Sequence, residues 1–175
     1  MTERIIIAGS GGQGIMLVGK ILAQAAMTED KFVTWLPAYG AEVRGGTSHC
    51  MLTISDEEIG SPYVSSADVL IIMNGPSLVK FRKRLVAAGL LILNNSLVQA
   101  GEQDKTKTIQ HPFSDIAVDM GNIKVANMIA LGCYLHHRNI VKLKTVLGVI
   151  REVAPKDKSN LITINQEALE KGAGL

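Results

Sequence analysis

Short β-branched runs alternate along this chain with segments of helical period. Arg4-Ile-Ile-Ile-Ala8 breaks at once into Gly9-Ser-Gly-Gly-Gln-Gly14, and apolar residues then recur at Ile15, Val18, Ile21, Leu22 and Ala25. The order predicts strand, tight turn, helix. A second strand is expected over Lys31 to Leu36, stopped by Pro37, and a third over Thr47 to Ile54 from its Thr, Ile and Leu content. Asp68 to Met73 is continuously apolar after its first residue, as a parallel strand covered on both faces would be. Asn74-Gly75-Pro76 then opens a helix expected from Ser77 to Ala88 and closed by Gly89. Leu90 to Leu93 reads as a buried strand ended by Asn94-Asn95-Ser96, and Lys107 to His111 as a further short one. From Gly121 the period becomes 3.6, with Val125, Ile129, Leu131 and Leu135 in one helix and Leu143, Val146, Leu147, Ile150 and Val153 in another. Strands alternating with helices predict an α/β protein with a three-layer Rossmann-like fold, its mostly parallel sheet flanked by helices. No repeat and no linker divides the chain, so residues 1–175 are expected to form one domain.

Composition narrows the functional classes. With 47% hydrophobic residues and only 4% aromatics, the 175 residues can enclose an aliphatic core, and a disordered chain is excluded. A net charge of +2 lacks the basic excess of a nucleic-acid binder. The longest apolar run, Val86 to Leu93, falls far short of the roughly 18 residues of a membrane span. Cys50 and Cys133 are far apart, with no Cys-x-x-Cys, so neither a disulfide scaffold nor an iron–sulfur cluster can be read here. A cytoplasmic location is the expectation that follows.

The first candidate site is the glycine turn of Gly9, Gly11, Gly12, Gln13 and Gly14. Glycines permit positive φ, let a ligand approach without a Cβ, and leave the first N–H groups of the helix aimed at an anion. The same glycines would equally serve a close strand-to-helix crossing or a subunit contact. An ordinary NAD site is not supported, because such a fold places an acidic residue at the end of the second strand. Thr34, Trp35 and Leu36 occupy that place.

The second candidate is Tyr39-Gly-Ala-Glu42-Val-Arg44-Gly45-Gly46, which sets an aromatic, an acid and an Arg among glycines where the carboxyl end of the sheet is expected. Arg44 offers a fork for a carboxylate or phosphate, or Glu42 and Arg44 simply pair with each other. These residues also carry a resemblance. Gly9-Ser-Gly-Gly-Gln-Gly-Ile15, Tyr39-Gly-Ala-Glu-Val-Arg-Gly-Gly-Thr47 and Ile59-Gly-Ser-Pro62 together resemble the gamma subunit of the 2-oxoacid:ferredoxin oxidoreductases, over nearly the whole chain. The variants Gly-Gly-Thr and Ile-Gly-Ser-Pro look closer to the 2-oxoglutarate or general 2-oxoacid branch than to the pyruvate branch.

That resemblance implies a multisubunit enzyme converting a 2-oxoacid and coenzyme A to acyl-CoA, carbon dioxide and reduced ferredoxin. It implies thiamine diphosphate, Mg and iron–sulfur clusters held by alpha and beta subunits, or by a ferredoxin-like delta subunit, and none held by this chain alone. A thiamine-binding chain would carry Gly-Asp-Gly ahead of its Asn pair, and Asn94-Asn95 has none before it. No catalytic residue and no metal ligand is therefore assigned here. The glycine turn is expected to be an anion-receptive or interface element, and Tyr39, Glu42, Arg44, Gly45 and Gly46 to line the junction with the catalytic subunits. Two rivals are a stand-alone nucleotide- or CoA-binding regulatory module and the indolepyruvate branch of the same superfamily.

Other polar clusters have plainer readings. Lys80, Arg82, Lys83 and Arg84 are expected on one solvated helix face, with a partner or phosphate contact as the alternative. His136, His137 and Arg138 suit a helix C-terminus. His49 and Cys50, adjacent in a strand, point to opposite faces and cannot easily share one ion. Met73, Met120 and Met128 read as core filler.

Overall fold

A computed structural model describes residues 1–38, 47–99, 107–153 and 159–175. Six strands form one sheet in the order β2-β3-β1-β4-β5-β6, with β1 Thr2–Ser10, β2 Phe32–Ala38, β3 Thr47–Ser55, β4 Ala67–Ile72, β5 Leu85–Asn94 and β6 Lys107–His111. β1 pairs in parallel with β4, β4 with β5 and β5 with β6, whereas β3 runs antiparallel to both β1 and β2. The sheet is thus mixed, parallel across β1, β4, β5 and β6. The helices are α1 Ile15–Thr28, α2 Gly75–Phe81, α3 Phe113–Asp119, α4 Ala126–His137, α5 Leu143–Val153 and α6 Ser159–Ala173.

The continuous apolar runs are explained by burial of both sheet faces. Ile5, Ile7, Val69, Ile71, Leu90 and Ile92 pack on one side with residues of α1, α3, α4, α5 and α6. Their alternates Ile6, Ala8, Leu70, Ile72, Leu91 and Leu93 pack on the other with Phe81, Val64 and Val98. The second face is covered mainly by short α2 and the segment before β4. Met73 and Met128 are buried and Met120 packs against the core, as expected of filler.

Two boundaries differ from expectation. The helix foreseen to Ala88 stops at Phe81, passes through one 3-10 turn at Arg82–Arg84 and becomes β5 at Leu85. Phe81 is buried and the Arg84 guanidinium donates to the Val64 carbonyl, so the chain must turn there. Gly89 does not close a helix. It sits inside β5 where the register against β4 shifts, and a Cβ there would meet Leu85. Pro37 likewise does not stop β2 but pairs opposite Cys50, which an edge strand tolerates because its outer side needs no N–H donor.

Helix α4 is buried on every side from Ala126 to Leu135. It crosses α6 through two glycines: a Cβ on Gly132 would fall onto the Leu169 carbonyl, and one on Gly172 onto the Ile129 carbonyl. Backbone atoms block both positions and cannot rotate aside. At its far end Tyr134 donates to Glu3 Oε1 at 3.1 Å, and Arg138 Nε lies 3.9 Å from the same oxygen. Arg138 therefore serves Glu3 as well as the helix end. Burial pushes the Glu3 carboxyl above its ordinary range, against the opposing pull of Arg138 and Tyr134.

Two outcomes follow for stability. Gly132→Ala should lower the unfolding free energy by about 1–3 kcal/mol or more, the cost of overpacking against rigid neighbours, read by urea denaturation. A raised carboxyl binds more protons in the folded state, so its contribution is full below the unfolded pKa near 4.5 and is lost as pH rises. Glu3→Gln should keep the Tyr134 bond and flatten the fall of stability above that pH, measured as Tm against pH in matched buffers.

Candidate functional site

β1, β4, β5 and β6 end on one edge of the sheet, and the flanks of the Tyr39 to Gly46 segment lie on the same edge. Thr47 pairs with Ser10, and Ala38 with His49. Tyr39, Glu42, Arg44, Gly45 and Gly46 themselves lie outside the described residues.

The glycine turn occupies the centre of this edge. Gly12 has φ +87° and Gly14 φ +70°, the left-handed region that favours glycine. Gln13 N donates to the Ser10 carbonyl at 3.2 Å, the Gln13 side chain accepts from Ser10 N at 2.6 Å, and its amide nitrogen reaches the Met73 carbonyl at 3.4 Å. Gln13 is thus the brace of the turn and not a free ligand. Gly9 belongs to β1, and a Cβ there would strike Gln13 and Ile15. Gly11 and Gly12 are exposed.

Gly14 is the N-cap of α1 and brings no side-chain cap, and the first turn of α1 holds no acidic residue. The first helical bond is Val18 N to the Gly14 carbonyl, so the N–H groups of Ile15, Met16 and Leu17 have no acceptor within the helix. By contrast Asn74 caps α2 by accepting from Ser77 N at 3.1 Å, and Glu29 accepts from Lys142 N just before α5 and from the Thr145 hydroxyl in its first turn. The open start of α1 suits an anion. Asn127 of α4 supports it from behind, donating to the Gly14 carbonyl at 3.2 Å while its own amide oxygen is buried without a partner.

Around the turn runs a set of polar side chains that the sequence reading missed. Asn74 donates to Ser10 Oγ at 2.6 Å. Asn94, fully buried, donates to the Met73 carbonyl at 3.4 Å and to Ser114 Oγ at 2.9 Å, and accepts from Ser114 N at 3.3 Å. Asn94 is therefore a strut as well as a turn residue. The signal was available: a Ser or Asn stands at the carboxyl end of each of three strands read as parallel.

The remaining candidates fall elsewhere. His49 faces Phe81, with ring centroids 4.7 Å apart, while Cys50 faces Ile15 on the opposite side, as strand alternation requires. Burial pushes the Cys50 thiol up to about 12 and the Cys133 thiol up to about 11, so both stay protonated and unreactive. Among the described residues no three His, Cys, Asp or Glu side chains gather as a metal site. No helix among them is long and apolar enough to cross a membrane. An open pocket lined by Leu135, His136, Asn139 and Lys142 lies at the far end of α4, away from the glycine turn.

Residues 4–175 match the pyruvate ferredoxin/flavodoxin oxidoreductase family, and the chain belongs to it. The ketoisovalerate oxidoreductase subunit VorA of Methanothermobacter marburgensis is 36% identical over 97% of this chain, which spans only 36% of that protein's length. The 2-oxoglutarate synthase subunit KorC of the same organism is 34% identical over 89% of this chain and 88% of its own. Among solved structures, the keto/oxoacid ferredoxin oxidoreductase gamma subunit from Geobacter sulfurreducens superimposes with a TM-score of 0.83 at 26% identity, covering 97% of this chain and 95% of that one. A 2-oxoglutarate:ferredoxin oxidoreductase from Magnetococcus marinus shares the fold at 23% identity and TM-score 0.90, covering 99% of this chain and 30% of that one. The fold expectation and the resemblance to gamma subunits are both borne out.

The turn itself can be tested. Gly12→Ala meets open space and should cost only the left-handed strain, about 1–2 kcal/mol. Gly14→Ala adds a collision with the Asn127 amide and should cost more. In an Asn127→Ala background the excess should vanish, leaving Gly14→Ala and Gly12→Ala alike in a urea-denaturation cycle.

Proposed function

We propose that this chain is the accessory gamma subunit of a multisubunit 2-oxoacid:ferredoxin oxidoreductase, which joins a 2-oxoacid to coenzyme A and passes electrons to ferredoxin. The carrying observation is the open, glycine-built start of α1 at the sheet's carboxyl edge, in a chain of this family. Its N–H groups are suited to a phosphate of coenzyme A or to an acidic contact from a neighbouring subunit. Tyr39, Glu42, Arg44, Gly45 and Gly46 are assigned to the junction with the catalytic subunits, since the flanking Ala38 and Thr47 reach the same edge.

The cofactors fit this chain unequally. The start of α1 fits an anionic group of coenzyme A. Cys50 and Cys133, buried on different elements and held protonated, do not fit as ligands of an iron–sulfur cluster. No thiamine motif is present in the sequence. Decarboxylation and electron transfer are therefore assigned to the alpha, beta and any ferredoxin-like delta subunit, where thiamine diphosphate supplies the carbanion chemistry. The acid is 2-oxoglutarate or a related keto acid.

Co-expressed with its partner subunits, the chain should support reduction of ferredoxin or a viologen dye that requires both coenzyme A and one of pyruvate, 2-oxoglutarate or 2-oxoisovalerate. The purified chain alone should show no turnover. Turnover by the lone chain, or tight nucleotide binding with no assembly, would instead favour an independent module.

A further inference from the structure

Helix α4 holds β1 at both of its ends. In the first turn of α4, Asn127 donates to the Gly14 carbonyl at 3.2 Å, just past the carboxyl end of β1. In the last turn, Tyr134 donates to Glu3 Oε1 at 3.1 Å, at the amino end of the same strand. Both side chains are buried. Between the two contacts the helix meets α6 backbone to backbone, at Gly132 against the Leu169 carbonyl and at Gly172 against the Ile129 carbonyl. No change of rotamer can relax such a crossing, so a displacement at one end of α4 is passed to the other instead of being absorbed by side chains.

The Gly14 carbonyl is a sensitive place to hold. It shares a planar peptide unit with the N–H of Ile15, the first of the open donors of α1, so whatever fixes the direction of one fixes the direction of the other. Gly14 stands at φ +70°, and without a Cβ its own sterics do little to keep that unit from turning. Val18 N donates to the same carbonyl at 3.2 Å, which ties the first helical bond to the same orientation.

We infer that Asn127 is a positioning residue for the start of α1, aiming the Ile15 N–H through the Gly14 carbonyl, and that the Tyr134–Glu3 bond sets where Asn127 stands. The two edges of the sheet are thereby coupled through α4, and a change at Glu3 is felt at the anion-receptive turn. Seven helical residues, about 10 Å, separate Asn127 from Tyr134. Independent sites that far apart act additively, so non-additive behaviour is the signature of the coupling. The inference concerns the turn whatever binds there and does not rest on the subunit assignment.

The test is amide hydrogen exchange and carbonyl 13C NMR on the full chain, read at the Val18 N–H and the Gly14 carbonyl. The control is the Leu78 N–H, which bonds to the Asn74 carbonyl in α2, away from α4. Asn127→Ala should shift the Gly14 carbonyl signal and speed Val18 exchange about fivefold, the ratio that one ordinary hydrogen bond is worth, with Leu78 unchanged. Tyr134→Phe removes the hydroxyl and keeps the ring; it should shift Gly14 in the same direction and speed Val18 exchange at least about twofold. In an Asn127→Ala background it should have no further effect. Glu3→Gln, which keeps an acceptor for the hydroxyl, should behave as the parent chain, whereas Glu3→Ala should reproduce Tyr134→Phe and so decides the matter even if Tyr134→Phe fails to fold. A Gly14 signal unmoved by Asn127→Ala overturns the positioning role. Signals unmoved by Tyr134→Phe and Glu3→Ala, or moved equally with and without Asn127, overturn the coupling. So does an equal rise at Leu78, which would mark a general loosening of the fold. An assembled enzyme without turnover, in which the coupling persists, would count against the subunit reading alone.

Discussion

Buried amides at the carboxyl ends of β1, β4 and β5 are the constraint on which the rest depends. Parallel strands end in a row of carbonyls and N–H groups that the ladder no longer satisfies, and each left buried and unpaired costs about 1–3 kcal/mol. Asn74 and Asn94 answer that demand, with Ser10, Gln13 and Ser114 completing the set. Through the Met73 carbonyl the network touches both Gln13 and Asn94, so the glycine turn, the start of α2 and the end of β5 are held as one piece. A turn built only of flexible glycines would not aim its N–H groups anywhere. Bracing by a side chain whose own polar atoms are spent makes the loop a shaped surface.

Much of this was legible in the sequence because it followed from strong local signals. β-Branched runs gave β1 and β4, glycine spacing gave the turn, and the 3.6 period gave α4 and α5. The failures have a common cause. Val86, Ala87 and Ala88 are adequate helix formers, and nothing local says that Phe81 must enter the second core or that Arg84 must reach Tyr63. Tertiary burial overrode propensity there, whereas Pro37 continues β2 because an edge strand needs no N–H donor on its outer side. Asn94 was read by its turn preference, whereas its burial fixes its use. Tyr39 to Gly46, proposed for the subunit junction, lie outside the described residues, so that proposal rests on the sequence and the family.

Electrostatic arrangement separates this chain's two sheet edges. At the amino edge charges are paired: Arg4 donates to both oxygens of Asp68 at 3.0 Å, and Glu3 is shared by Tyr134 and Arg138. At the carboxyl edge the start of α1 has no side-chain cap and no acidic residue in its first turn. Such an open helix start suits a negative group.

The two thiols support the same division from the other direction. A chain meant to hold a cluster or to act as a nucleophile would expose a thiolate, and burial here drives both cysteines the opposite way. Reactivity is thereby kept out of the core while donors are concentrated along one edge. In the assembly proposed above, that arrangement would let a rigid α/β body present fixed hydrogen-bond donors to a ligand whose chemistry happens on another chain. Binding energy gathered at a distance from the reacting centre then serves to position it, which is the physical contribution a non-catalytic subunit can make.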